Sequence, residues 1–155
     1  MSNFDKLGQQ MNEMDATMDA WISKLGLGYN HYAVLYSLAA AENGQCTQKQ
    51  ICDEWCLPKQ TVFNVCKEYK EKGWIEKGWI EFSESAVDKR EKMMRLTADG
   101  KAKAEPIWAA THQLSDKVFA KFGKRKTEQL FALMAEFCVV CREQIDKTEI
   151  TDKVA

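Results

Sequence analysis

Side chains that can read the edges of base pairs recur at helical spacing between residues 59 and 67. The set comprises Lys59, Gln60, Thr61, Asn64 and Lys67. Glutamine and asparagine can each form two hydrogen bonds with adenine, and lysine can reach guanine or a phosphate. A helix that presents these residues together predicts a surface for reading the major groove of DNA. The competing interpretation is an ordinary solvated helix face, because polar helix residues usually face water.

Two short helices joined by a turn would position this set. Thr47 and Gln50 predict a capping box, in which each side chain would hydrogen-bond the backbone amide of the other residue. Pro58 favours the first turn of a second helix, and Gly73 favours its end. The opposite side of that helix is apolar, with Val62, Val65, Cys66 and Tyr69. The pattern therefore predicts a helix-turn-helix whose second helix carries the polar set.

Strand and helix patterns surround this motif. Residues 74–82 and 93–96 alternate as strands do, and the polar residues 83–91 between them predict a hairpin tip. Further helices are predicted over residues 4–25, about 30–42, from Thr97 onward with a kink or break at Pro106, and about 127–146. The predicted fold class is mainly α with a small β-hairpin, a winged helix-turn-helix flanked by dimerisation helices.

The helices predicted at both ends of the chain carry more apolar surface than the core of one small helix-turn-helix domain can cover. The residues concerned are Phe4, Leu7 and Met11 near the start, and Phe137, Cys141 and Ile145 near the end. A twofold dimer would cover them, and it would also place two reading helices on half-sites one DNA turn apart. An ordinary monomer core is the alternative interpretation, and we predict the homodimer.

Several motifs resemble the MarR family of winged-helix transcriptional regulators. Leu25-Gly26 is followed by the segment 27–38 with its Tyr-Ala-Val-Leu sequence, then by Thr47-Gln48 with Ile51, and by the segment 57–65. The family's Asp-x-Arg wing motif matches Asp88-Lys89-Arg90, and its Leu-Thr-x-x-Gly signature matches residues 96–100. The resemblance spans nearly the whole chain. It implies a homodimeric DNA-binding repressor or activator, often released from its operator by a small molecule or by oxidation. Of these we expect a ligand-responsive repressor that binds an inverted-repeat operator in double-stranded DNA.

The resemblance also assigns roles along the chain. It implies one MarR-like domain over residues 1–155, with a DNA-binding lobe at 30–100 and dimerisation helices at 1–28 and 101–150. The recognition positions fall on Lys59, Gln60, Thr61, Asn64 and Lys67, and the wing positions fall on Lys89 and Arg90. Asp88 would orient Arg90 through a charge-assisted hydrogen bond. The alternative for that pair is a solvated surface ion pair of little energetic consequence.

One feature departs from the family pattern. The segment from Lys72 to Glu76 is repeated without change from Lys77 to Glu81. One copy resembles an insertion between two parts of ordinary spacing. Because five is an odd number, a simple strand extension would reverse which side chains face the core. The sequence allows a bulge, an extra helical turn or a longer loop.

The cysteines and aromatic residues raise further possibilities. Cys52 with Cys56, and Cys138 with Cys141, each share a helix face, so a cysteine-based redox or metal sensor is an alternative function. We expect small buried thiols instead, and no metal or other cofactor. A small-molecule effector pocket could be lined by Trp21, Tyr29, His31, Tyr32, Tyr36 and Trp108. These six residues could equally be plain core.

Composition narrows the remaining function classes. The formal net charge is −1, so DNA affinity must come from a local excess of basic residues. We expect a cytoplasmic protein without a membrane partner, because no apolar run approaches a membrane span and residues 1–10 do not read as a signal peptide. No enzyme motif is recognisable, so we expect no catalytic activity. The alternative from another class is a winged-helix protein-interaction module that lacks DNA binding.

Overall fold

The computed structural model describes residues 1–71, 78–84 and 90–151. The helices are α1 (Asn3–Lys24), α2 (Tyr29–Ala40), α3 (Gln48–Trp55), α4 (Lys59–Glu71), α5 (Ala98–Phe122) and α6 (Lys124–Lys147). The strands are β1 (Gln45–Thr47), β2 (Ile80–Glu84) and β3 (Lys92–Leu96). The predicted fold class is confirmed, because a small antiparallel sheet accompanies a mainly helical chain.

The chain forms two compact units, Met1–Ala110 and Thr111–Ala155. In the first unit, a single hydrophobic core joins α2, α3 and α4 to the sheet and to the end of α1. Its largest fully buried side chains are Ile22, Leu35, Leu38, Ile51, Met94, Val34, Val62 and Cys66. Apolar side chains from every element of the helix-turn-helix therefore share one core, which fixes the orientation of α4.

The three strands lie in the order β1-β3-β2 and pair antiparallel. Ile80 pairs with Leu96, and both side chains are buried. The next pair, Glu81 and Arg95, points to the other face, where the guanidinium Nη2 lies 2.9 Å from the carboxylate. β1 was not predicted. It spans three residues, and its strand geometry depends on pairing with β3, which sequence periodicity does not reveal.

Two predicted helix features need correction. α2 ends at Ala40, before the predicted limit, because Asn43 and Gly44 take φ values of 61° and 68° in a short 3-10 turn that leads into β1. α5 runs from Ala98 to Phe122 with Pro106 inside it, so the alternative of a break there is wrong. The proline removes one backbone hydrogen bond to the carbonyl of Ala102, and that residue is exposed.

The second copy of the repeated segment packs against the end of α4. The amide of Trp79 donates to the carbonyl of Tyr69 at 2.9 Å, and their rings lie 5.2 Å apart. Gly78 fits because a Cβ there would lie 2.4 Å from the Lys70 carbonyl oxygen. The first copy, together with the predicted helix end at Gly73, lies outside the described residues.

The second unit contains the end of α5 and all of α6, joined at Gly123. Within it, the rings of Phe119 and Phe131 lie 5.6 Å apart. α6 has no buried residue, and many of its large apolar side chains are exposed: Leu130, Phe131, Leu133, Met134, Phe137, Val139, Val140 and Ile145. Among the residues that the structure describes, no helix combines the length and hydropathy that a membrane span requires.

Candidate nucleic-acid interface

The start of α3 is fixed as the sequence predicts. The Gln50 amide donates to the Thr47 hydroxyl at 3.1 Å, and the Thr47 amide donates to the Gln50 side-chain oxygen at 2.8 Å. The helix ends at Trp55, and the next residue, Cys56, takes a left-handed conformation with φ 51°. The amide of Leu57 then donates to the Cys52 carbonyl at 3.1 Å. These contacts make the tight turn that sets the direction of α4.

Helix α4 has the two faces that the sequence predicts. Its buried face consists of Val62, Val65, Cys66 and Tyr69, each 5% exposed or less. Lys59, Gln60, Asn64 and Lys67 are exposed, and Thr61 is half-buried. On the exposed face, the Gln60 side-chain amide donates to the Asn64 side-chain oxygen at 2.8 Å. This bond leaves the Gln60 oxygen as an acceptor and the Asn64 amide group as a donor.

A groove of about 600 Å³ lies beside α4 and carries a strong local charge. We call it the cationic groove. Its lining comprises Thr47, Gln48, Lys49, Cys52, Lys59, Gln60, Phe63, Lys67, Lys70, Phe82, Arg90, Glu91 and Lys92. Six of these residues are basic and only Glu91 is acidic, although the whole chain has a net charge of −1. The groove therefore has the local charge asymmetry that attraction of a polyanion requires.

Three structural elements contribute cations to the cationic groove. α3 supplies Lys49, whose Nζ lies 2.7 Å from Asp53, and this hydrogen bond raises the lysine pKa. α4 supplies three lysines, and the strand β3 with the turn before it supplies Arg90 and Lys92. Lys70 and Lys92 both lie over the ring of Phe82, at 5.0 and 5.8 Å from its centre. The groove is thus shared between the helix-turn-helix and the hairpin.

Only some of the predicted recognition and wing residues line the cationic groove. Lys59, Gln60, Lys67 and Arg90 line the cationic groove together, whereas Thr61 and Asn64 lie outside its lining. Asp88 and Lys89 lie outside the described residues, so the predicted orientation of Arg90 by Asp88 stays a prediction. Sequence reasoning missed the lining residues Lys49, Phe63, Lys70 and Lys92. Helical spacing could have found Phe63 and Lys70, since both fall on the same side of α4 as Lys67.

The residues predicted to line an effector pocket occupy several environments. Tyr32 is buried, and its ring lies near those of Tyr36 and Trp55, at 5.4 and 5.9 Å. Tyr29 is more exposed, with its ring 5.9 Å from that of Trp55. None of the six predicted residues lines the cationic groove. They are also outside the lining of a second groove of about 820 Å³ near Ser37.

The other three predicted pocket residues are half-buried. Trp21 packs against the core of the first unit. His31 Nε2 lies 3.0 Å from a carboxylate oxygen of Glu68 on α4, so this contact joins α2 to the helix of the polar set. Trp108 lies on α5.

The cysteines also differ in environment. Burial raises the pKa of Cys46 and Cys66 to about 12, which keeps both thiols protonated near neutral pH. Cys52 is also buried, while Cys56 and Cys138 are exposed. Within the described ranges, no group of three or more His, Cys, Asp or Glu residues is placed to hold a metal ion.

The helix-turn-helix, the hairpin and the basic groove between them define a winged-helix DNA-binding transcriptional regulator. The MarR family model matches residues 25–91. The chain is 40% identical to NMB1585, a MarR family regulator from Neisseria meningitidis, whose solved structure it matches with a TM-score of 0.80. That match covers 96% of this chain and 100% of the other. The chain belongs to the MarR family.

Two further comparisons agree with this assignment. The uncharacterized HTH-type transcriptional regulator YwoH from Bacillus subtilis is 28% identical over 116 residues, which are 75% of this chain and 79% of YwoH. The Staphylococcus aureus protein MepR, solved as a complex with DNA, matches with a TM-score of 0.66 and 18% identity. That match covers 90% of this chain and 98% of MepR, and at this identity it supports the fold alone.

Proposed function

We propose that this protein is a homodimeric, ligand-responsive repressor that binds an inverted-repeat operator. In this proposal α4 enters the major groove, where Gln60, Thr61 and Asn64 contact base edges and Lys59 and Lys67 contact guanine or phosphate. Lys89 and Arg90 contact the minor groove or its phosphates. The observation that carries the proposal is the cationic groove, which gathers basic side chains beside α4 in a chain without net positive charge.

The division of labour along the chain is part of the proposal. Residues 30–100 form the DNA-binding lobe, and residues 1–28 with 101–150 form the dimer. Support for the dimer comes from exposed apolar side chains on both segments, such as Phe4 at 70%, Met11 at 58% and Phe137 at 47% exposure. Large apolar side chains concentrated on helix surfaces mark protein interfaces, and a twofold dimer is the commonest way to cover them.

The response to a small molecule is assigned to Trp21, Tyr29, His31, Tyr32, Tyr36 and Trp108. Support comes from the rings of Tyr32 and Tyr36 on α2, which pack edge-on against Trp55 of α3. An aromatic ligand that displaced one of these rings would shift the first helix of the reading motif. In a screen of small aromatic acids and phenols, we expect one that releases the protein from DNA, and Tyr36→Ala should abolish that release without weakening ligand-free binding.

Selection of bound duplexes from random DNA tests the proposal as a whole. We expect recovery of one inverted repeat with half-sites about one DNA turn apart. A chain that is folded but recovers no preferred sequence would contradict the repressor, and would favour a winged-helix protein-interaction module instead.

Salt dependence then tests the roles of individual residues. Lys67→Ala and Arg90→Ala should each reduce the slope of log affinity against log salt by about 0.9 per protomer, because each removes one cation that displaces a counterion from the DNA. Lys147→Ala, at the end of α6, removes the same charge at a residue that does not line the cationic groove and should leave the slope unchanged. Asn64→Ala should instead relax the preference at one base, at a cost of about 1–3 kcal/mol.

A further inference from the structure

Phe63 is an exposed aromatic residue on the face of α4 that otherwise carries polar and basic side chains. Its side chain is 48% exposed, whereas its neighbour Val62 is fully buried. Lys59 and Lys67 lie four residues before and after it, so all three share one side of the helix. Lys59, Phe63 and Lys67 all line the cationic groove.

The fold does not account for this phenylalanine. Trp55 and Leu57 are also incompletely buried, but both pack against the core of the first unit. Phe63 lies outside that core cluster. An apolar side chain that faces water amid lysines gains little from folding, because the benefit of an apolar group comes from removing its surface from water. A binding partner that covers the ring would supply that benefit.

We propose that Phe63 contacts the C5 methyl group of a thymine in the major groove of the operator. The inference rests on the proposed function, in which α4 lies in that groove. The thymine methyl is the apolar group that base pairs present there, and phenylalanine is among the side chains that contact it. Basic residues on either side would bring the phosphates close, and the ring would then lie against the base edges rather than in water.

The position of this thymine relative to the other contacts follows from helix geometry. Gln60 precedes Phe63 by three residues, which is a rise of about 4.5 Å along α4. Asn64 follows Phe63 by one residue, a rise of about 1.5 Å, so Phe63 lies between these two polar residues along the helix. The thymine that Phe63 reads therefore lies in or next to the base pair that the bonded Gln60 and Asn64 side chains contact.

Replacement of thymine by deoxyuridine tests the contact, because it removes only the methyl group. On the selected operator, we expect deoxyuridine to be neutral at most positions. At one position per half-site it should weaken binding about fourfold, which corresponds to about 0.8 kcal/mol for one buried methyl. The same replacement in both half-sites should weaken binding about sixteenfold by simple multiplication of the two effects.

Three variants separate this contact from a general loss of affinity. Phe63→Ala should bind the thymine and deoxyuridine duplexes equally, and circular dichroism should show a folded chain because the side chain is exposed. Phe63→Leu should retain part of the discrimination and serves if the alanine variant binds too weakly to measure. Gln60→Ala should lose affinity but keep the full effect of deoxyuridine at that position, because the Phe63 ring that contacts the methyl group is still present.

Different results would contradict the thymine contact and the proposed function. Selective operator binding by the wild type, with no position sensitive to deoxyuridine, would overturn the thymine contact alone. An unchanged deoxyuridine effect in Phe63→Ala would also overturn it, since another group would then read the methyl. A wild type that selects no DNA sequence would overturn the proposed function, and the thymine contact with it.

Discussion

The winged-helix lobe and helix α6 differ in how they treat apolar side chains. In the lobe, Leu35, Ile51 and Val62 are fully buried in a core that joins three helices to the sheet. In α6, Phe137 is 47% exposed and Ile145 is 65% exposed, and no residue of the helix is buried. The lobe therefore has a core of its own within one chain. α6 has an exposed apolar surface, and the proposed function assigns the burial of that surface to a second copy.

The largest expected effect concerns a charge placed on the apolar side of α6. Leu130, Met134 and Phe137 lie on one side of the helix by their spacing of three and four residues. Phe137→Glu should convert the dimer to a folded monomer, because a buried carboxylate without a partner is strongly unfavourable. Light scattering measures the mass directly.

Val139→Glu is the matched control for this variant. It adds the same charge about 200° around the helix from Phe137, and should leave the dimer intact. A stable wild-type monomer at micromolar concentration would show that no second copy covers the apolar side of α6.

Truncation of a leucine to alanine should have different effects in the lobe core and on α6. Leu35→Ala removes a fully buried side chain from the lobe core and should cost about 2–5 kcal/mol of unfolding free energy at every protein concentration. Leu130→Ala on α6 should act mainly on dimerisation. Its effect on the urea midpoint should therefore change with protein concentration. Equal, concentration-independent losses in both variants would show that α6 packs within its own chain.

Thiol labelling gives a smaller effect that reports on both regions. At pH 8, iodoacetamide should modify the exposed Cys56 quickly, while Cys46 and Cys66 react only on unfolding, because burial raises their pKa to about 12. Cys138 lies on the apolar side of α6. In the dimer we expect it to react on the order of tenfold more slowly than in Phe137→Glu, since alkylation then requires local opening. Mass spectrometry of the labelled peptides provides the rates, with Cys56 as the internal reference.

If Cys138 reacted at the same rate in both proteins, α6 would not be covered by a second copy. Reversible loss of operator binding on mild oxidation, abolished by one cysteine-to-serine substitution, would instead favour the redox sensor.

The smallest expected effect concerns the repeated segment. Trp79 bonds to the Tyr69 carbonyl and packs on its ring, with Gly78 beside the backbone of Lys70. Deleting Lys72–Glu76 would bring the same Gly-Trp sequence four and five residues after Tyr69. In a Schellman motif, a glycine and the following residue make these contacts at a helix end. We expect unfolding free energy within about 1 kcal/mol of wild type.

The choice of which copy to delete does not matter, because removing either copy yields the same sequence. Operator affinity should also remain close to that of the wild type, measured by fluorescence anisotropy. An unfolded product would show that the fold requires both copies.

Sequence alone predicted the parts of this fold in which local periodicity and packing agree. The spacing of the apolar residues in α4 by three and four predicted its buried and exposed faces. The side chains of Thr47 and Gln50 predicted the start of α3. β1 was missed because its conformation depends on a partner strand distant in sequence. The cationic groove was incompletely predicted for the same reason. Lys49 and Lys92 are separated in the chain, and the fold brings them to one cavity.

Phe63 was missed as a site residue for a different reason. A single apolar residue among polar ones does not change the helical pattern, because scattered exposed apolar residues are normal. Only the exposure of Phe63 in the structure shows that it is outside the core. The exposed apolar side of α6 was predictable as a pattern.

Operator binding by the wild type and by Phe137→Glu shows whether DNA recognition depends on a dimer formed through α6, because tight binding then requires both regions. Affinity should be measured on the selected inverted repeat and on a duplex with one half-site. The wild type should bind the inverted repeat much more tightly than the half-site, through two linked contacts. Folded Phe137→Glu should bind both duplexes weakly and with similar affinity per half-site. If that monomeric variant kept the wild-type affinity for the inverted repeat, DNA recognition would not depend on a dimer formed through α6.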